Sequence, residues 1–181
     1  MSDLEKPVLP GSFPNSAAEA NPEMPLVAQI RALMLEQPYA VLCTEGRGQP
    51  YGSMIAFAAN QELNTVVFAT PVATHKFRLL TACDQVALVV DNRTHFTRES
   101  TSIHAVTAMG SAVILEQREL KDEWRRLLID KHPQMQDFIR APGTALIRID
   151  ILRYLHVTRL QEFLSGSRHT HHCNPPKCSR H

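Results

Sequence analysis

The sequence has no stretch approaching the roughly 18 uninterrupted apolar residues of a membrane span, and its opening, MSDLEKPVLPG, carries neither a basic leader nor an apolar segment. No membrane partner is expected, and the setting reads as cytoplasmic. An excess of one charge is also missing. The 19 Lys and Arg stand against 18 Asp and Glu, a net +1, so no overall field draws in nucleic acid, and only a local basic site remains open. Four cysteines, at 43, 83, 173 and 178, two in the apolar body and two in the tail, do not form the pattern of a small disulfide scaffold. Neither GxGxxG nor GxxxxGK[ST] occurs, which removes support for Rossmann and P-loop nucleotide sites. No internal repeat is visible.

What is present is enough for one globular domain. A chain of 181 residues, 44% of them hydrophobic, buries roughly 70% of the surface its unfolded form exposes and needs no metal or disulfide to hold together. Five of the 12 prolines fall in the first 25 residues, so residues 1–24 read as an irregular arm. Residues 25–164 read as the folded domain and 165–181 as a tail. Pro25 suits a first helical position, Leu26, Ile30, Leu33 and Met34 recur at helical spacing, and Pro38 ends the run.

Three segments rich in β-branched and aromatic residues follow, Tyr39 to Thr44, Tyr51 to Ala59 and Thr65 to Thr70, separated by GRGQP and NQELN. Both separators are turn chemistry, so a three-strand meander is expected. A helix over 74–82, a buried strand over 85–91 and a bent strand over 103–116 with a bulge at Gly110 come next. Leu120, Trp124, Leu127 and Leu128 mark an amphipathic helix ended by His132-Pro133, Met135 to Ile139 add a turn or two, and 144–159 alternates as one or two closing strands. Six to seven antiparallel strands with three to four short helices favour a mainly β, closed barrel over βαβ units.

The most informative segment is TPVATHKFR, Thr70 to Arg78. It places a strand end, a Pro-containing turn and a helix start beside three basic side chains. Thr74 suits the N-cap, with His75, Lys76 and Arg78 in the first turn. Cations there are disfavoured by the helix dipole by roughly 0.3–1 kcal/mol each, whereas an anion gains from the dipole, the free N–H groups and the Lys side chain together. The segment is shaped for a phosphate, although a solvated helix start, whose charges cost little, fits the same local pattern.

PYGSMIAF (residues 50–57), VVFATPVATHKFRLL (66–80), VALVVDNR (86–93) and the closing ALIRIDILRYLHV together resemble the pyridoxamine phosphate oxidase-related FMN-binding split barrels. The resemblance spans about residues 26–163, and its most specific part is the T…THK spacing after an apolar strand. It implies that Ser53, Met54 and Ile55 face a flavin, largely through main-chain groups, and that Thr70, Thr74, His75 and Lys76 line its phosphate and ribityl chain. Asn92 and Arg93 would lie close to the cofactor or to a second subunit, since the family holds its cofactor in a cleft between two copies. A homodimer is therefore expected. The C-terminal basic and aromatic elements used by the true vitamin B6 oxidase are absent from the domain's end, HVTRLQEF, so the expectation is an FMN-dependent oxidoreductase acting with a small-molecule electron donor or acceptor. A flavin does its own hydride and electron chemistry, and no catalytic side chain is assigned. Deazaflavin and haem are alternative cofactors within the resemblance.

The tail, GSRHTHHCNPPKCSRH, supplies a further set. His169, His171, His172, Cys173 and Cys178 are ligand types for zinc, copper or haem iron, and they support a second reading as a haem- or metal-handling protein. Their spacing matches no closed structural zinc site, and a mobile tail or remnant cloning sequence explains the composition equally well. Cys43 and Cys83 read as small buried hydrophobes, and the charges around Arg118 to Lys131 as a solvated helix face.

Overall fold

The computed structural model describes residues 6–8, 25–92, 104–115 and 122–158. Within them the chain runs β1 (Lys6–Val8), α1 (Leu26–Glu36), β2 (Tyr39–Gly46), β3 (Gln49–Ala59), β4 (Thr65–Pro71), α2 (His75–Ala82), β5 (Gln85–Asp91), β6 (His104–Leu115), α3 (Asp122–Lys131), a 3-10 turn (Pro133–Met135), α4 (Gln136–Arg140) and β7 (Thr144–Thr158). The strands follow the order β1-β7-β4-β3-β2-β5-β6, and β6 also pairs with β7. That last pairing closes six strands into an antiparallel barrel, the mainly β architecture expected.

The meander β2-β3-β4 forms as its turn chemistry predicts. The bend at Arg47-Gly48 takes positive φ at both residues, 56° and 76°, which glycine accepts and a two-residue hairpin requires. The closing segment is a single strand of 15 residues. One edge of β7 pairs with β6 from Leu146 to Thr158, interrupted at Leu152, while the other pairs with β4 at Thr144–Asp150 and with β1 at Tyr154–His156. Three residues of the arm are thus paired, where the sequence suggested irregular chain. Pro25 sits one residue ahead of its expected place: with ψ 143° it caps α1 from outside, its carbonyl accepting from the Ala28 N–H at 2.8 Å.

Burial explains the strand composition. Val66 and Phe68 of β4 point into the barrel with Ile55, Phe57, Leu88, Val106 and Ile149, whereas Val67 points outward under α3 and α4 with Ala58, Leu115, Leu128, Ile139 and Leu146. A strand covered on both faces needs a continuous apolar run, and VVFA provides it. α1 presses Ile30, Leu33 and Met34 onto the interior cluster. Tyr154, fully buried, donates its hydroxyl to the Leu63 carbonyl at 2.7 Å, and burial pushes its pKa up. That bond secures the turn before β4, where Leu63 itself takes φ +57°.

α3 is tied to the barrel by its C-terminal end. The Lys131 ammonium donates to the Met34 carbonyl at 3.2 Å and lies 4.2 Å from the centre of the Phe57 ring, and its burial lowers its pKa to about 8. The neighbouring His132 ring, almost fully buried, places Nε2 3.0 Å from the Phe57 carbonyl, so the Nε2–H tautomer donates there.

The irregularity expected at Gly110 is present, but the extra residue belongs to the opposite strand. Met109 faces Arg153 and Gly110 faces Ile151, so Leu152 of β7 has no partner in β6 and points outward. Gly110 is needed because the bulged backbone comes close: a Cβ there would overlap the Asp150 carbonyl oxygen and lie 2.9 Å from Ile149 Cγ2. Gly110→Ala should therefore destabilise the domain by about 1–3 kcal/mol through overpacking, read as a lower urea midpoint; an unchanged midpoint would show that the bulge has room to spare.

Candidate functional site

The site begins where β3 and β4 part. Their pairing covers only Phe57–Ala59 with Val66–Phe68. Beyond Phe68, β4 keeps its bonds to β7 through Pro71 but leaves β3, and the chain turns into α2. The edge of β3 from Pro50 to Ala56 is consequently paired on the β2 side alone. In an antiparallel strand the N–H and C=O of one residue point the same way and alternate along the chain. Phe57 N–H turns to the Pro38 carbonyl on the β2 side (3.4 Å), while the Met54 carbonyl turns the other way and accepts from Lys76 Nζ at 3.0 Å. The backbone groups of Gly52, Met54 and Ala56 therefore share the open edge.

α2 supplies the opposite wall. Thr74, with extended backbone, accepts the Phe77 N–H at 3.3 Å as a side-chain N-cap, as its sequence position predicts. Its hydroxyl donates to the Pro71 carbonyl at 2.8 Å, and its oxygen lies 3.1 Å from Thr70 Oγ1. One hydroxyl carries one proton, so Thr70 must be the donor in that pair. Both threonine protons are spent inside the turn, and Thr70, 1% exposed, supports Thr74 from behind. Arg78 N–H returns to the Thr74 carbonyl at 3.3 Å, which leaves the N–H groups of His75 and Lys76 at the helix start without an intrahelical acceptor.

The structure thus brings Ser53, Met54 and Ile55 together with Thr70, Thr74, His75 and Lys76. Ile55 is buried in the core, while the Met54 side chain is 66% exposed on the outer face. Ser53 lies on the face of β3 that it shares with Tyr51 and Ile55, and its Oγ is buried with no hydrogen-bond partner among the described residues. A buried hydroxyl left unpaired costs about 1–3 kcal/mol, so this position suits a ligand that completes it. Lys76 is half-buried, and burial lowers its pKa; an anion beside it would favour its charged form again.

Asn92 falls elsewhere. Its Oδ1 accepts the His104 N–H at 2.9 Å, and it lines a separate cavity of about 270 Å3 with Gln29, Glu36 and His104 between α1 and β6. Arg93 and the tail residues His169, His171, His172, Cys173 and Cys178 lie outside the described residues. Among the described residues, no group of three or more His, Cys, Asp or Glu could hold a metal ion, and no helix is long and apolar enough to cross a membrane. The sequence reading did not single out Tyr51, whose ring meets the His75 ring edge-on at 4.8 Å. The period of two that places it beside Ser53 and Ile55 was the available signal. Arg78 Nη2 donates to His75 Nδ1 at 3.3 Å, which orients the imidazole at the helix start.

An open strand edge facing a capped, basic helix start is the geometry to compare with known proteins. The family model described as pyridoxamine 5'-phosphate oxidase matches residues 26–158, which takes in every strand of the barrel. The chain belongs to this family. No match is found among curated protein sequences. Among solved structures, an FAD-binding protein from Mesorhizobium loti is similar at 14% identity and TM-score 0.60, covering 72% of this chain and 93% of its own. The haem storage protein HutZ from Vibrio cholerae is similar at 18% identity and TM-score 0.59, covering 75% and 96%. A haem-binding protein from Mycobacterium smegmatis matches at 17% identity and TM-score 0.60, covering 72% of this chain and 52% of its own. At such identities the likeness is one of fold. Proteins of this fold are thus described with different cofactors, and fold alone does not choose among them for this chain.

Proposed function

We propose that this member of the pyridoxamine 5'-phosphate oxidase family binds FMN between the open edge of β3 and the start of α2, and acts as a flavin-dependent oxidoreductase on a small molecule. The observation that carries the reading is Lys76 spanning from α2 to the Met54 carbonyl. It places a cation and two free helical N–H groups at one end of an unpaired strand edge. A flavin mononucleotide needs both: an anion site for its phosphate and a line of backbone donors and acceptors for the polar edge of its ring. Bound there, the flavin would supply the hydride and electron chemistry. The protein's part is to position and to polarise. The Met54 and Gly52 N–H groups would meet the ring edge, the Ser53 hydroxyl would complete its missing hydrogen bond, and Lys76 with the His75 and Lys76 amides would neutralise phosphate.

The reading extends to a homodimer. Outward side chains of β2, β5, β6 and β7, among them Cys43, Ala87, Met109 and Leu152, line a groove of about 530 Å3, and Tyr39, Met54 and Leu152 are 49%, 66% and 58% exposed. Apolar surface of this kind on a barrel marks an interaction face, and a two-fold partner would cover it in both copies at once. A haem-handling role is the second reading, supported by the haem proteins among the structural neighbours. FMN is preferred because it uses both features together, its phosphate the start of α2 and its polar ring edge the open backbone of β3, whereas haem offers propionates to the first and nothing polar to the second.

Titration of the purified protein with FMN, followed by absorbance from 300 to 700 nm, should give saturable flavin binding. Lys76→Ala should weaken it by about tenfold or more, the loss of one charge-assisted contact, with the unfolding midpoint little changed. An unchanged dissociation constant would overturn the phosphate assignment, and a Soret band formed with hemin in place of flavin binding would favour haem. Sedimentation should give a dimer for the native chain and a monomer for Leu152→Asp; a native monomer would remove the shared cleft.

A further inference from the structure

The groove proposed above as the dimer face carries charge on both of its banks. Its floor is apolar, with Ala87 and Met109 among its residues, but Glu45 of β2 lines one side and Arg153 of β7 the other, with β5 and β6 between them. Both side chains are exposed. In the sheet Cys43 faces Ala87, Ala87 faces Met109 and Met109 faces Arg153, a single row across four strands. Glu45 stands two residues further along β2 than Cys43, and so on the same outward face. Arg153 is held over the floor, its Nε donating to Met109 Sδ at 3.3 Å. Neither its Nη nitrogens nor the Glu45 carboxylate has a hydrogen-bond or ion-pair partner among the described residues.

Resting on the dimer reading, we propose that a second copy supplies the missing counter-charges: Glu45 of each copy pairs with the partner's Arg153, twice across one two-fold axis. An acid on one bank and a base on the other make the groove complementary to itself. A two-fold axis lying in the interface plane and crossing the groove between the banks exchanges them, so the contact closes with the same pair at both ends. A partner of uniform charge, such as a nucleic acid or an anionic lipid surface, would meet repulsion at one bank. Covering the groove in another orientation would strip water from two isolated charges in each copy, which is costly unless each finds its opposite. The apolar floor therefore supplies the contact area, and the two ion pairs select one orientation from those that would bury it.

Sedimentation over a concentration series tests the pairing on the full-length protein, on Glu45→Arg, on Arg153→Glu and on the two changes together. Each single reversal sets two like-charge contacts across the axis and should raise the dimer dissociation constant about tenfold or more. The double variant rebuilds both pairs with their signs exchanged, and should return to within about threefold of the native value. Both positions are exposed, so all three variants should keep the native unfolding midpoint. A native dimer that either single reversal leaves intact, or that the double variant does not restore, would overturn the pairing while the dimer itself stands; a native monomer would overturn both.

Discussion

Everything distinctive about this barrel follows from the parting of β3 and β4 beyond the Phe57–Phe68 pair. β4 has two neighbours to satisfy, and it stays with β7 to Pro71 while abandoning β3 at Phe68. A strand edge left open inside a folded domain is costly, because each backbone N–H and C=O buried there needs a partner. The chain meets part of that demand at once, since the turn leaving β4 starts α2 and delivers the Lys76 ammonium to the Met54 carbonyl. One acceptor is satisfied. The Met54 amide beside it and the Ser53 hydroxyl are the groups a cofactor would complete.

The surrounding structure holds that edge still. β2 pairs with β3 from Tyr39 to Gly46, and ahead of Tyr39 His132 takes over at the Phe57 carbonyl, with Lys131 over the Phe57 ring. The open segment is therefore anchored three residues from Met54. The bulge opposite Gly110 turns Leu152 outward into the groove proposed as a subunit interface. Opening the sheet at β3 leaves an unpaired edge, and bulging it at β7 leaves the exposed apolar surface on which the proposed dimer rests.

Much of this was legible in the sequence because local chemistry decided it. The hairpin between β2 and β3, the cap at Thr74 and the helix start with His75 and Lys76 each rest on residues adjacent in the chain, and each formed as expected. The glycine at 110 signalled a bulge, but which strand carried the extra residue depended on pairing between residues some 40 positions apart, which no local pattern records. The same holds for Asn92. The resemblance implied a place close to the cofactor or to a second subunit, and in the fold its Oδ1 accepts the His104 N–H at the start of β6. The free edge of β3 was equally hidden, since it arises from where β4 stops pairing and not from any residue in β3. The family resemblance reached further than periodicity, by implying that Ser53 to Ile55 face a flavin along an edge that only the folded chain opens.

The most direct measurement is residue-resolved hydrogen exchange at the Gly52, Met54 and Ala56 amides, with and without FMN. These amides should exchange far faster than those of Tyr51, Ser53 and Ile55 in the free protein, because only the latter face β2. FMN should protect the Met54 amide together with those of His75 and Lys76. Protection of Met54 equal to that of its neighbours in the free protein would show that the edge is already closed, and FMN binding that protects none of these amides would place the cofactor elsewhere.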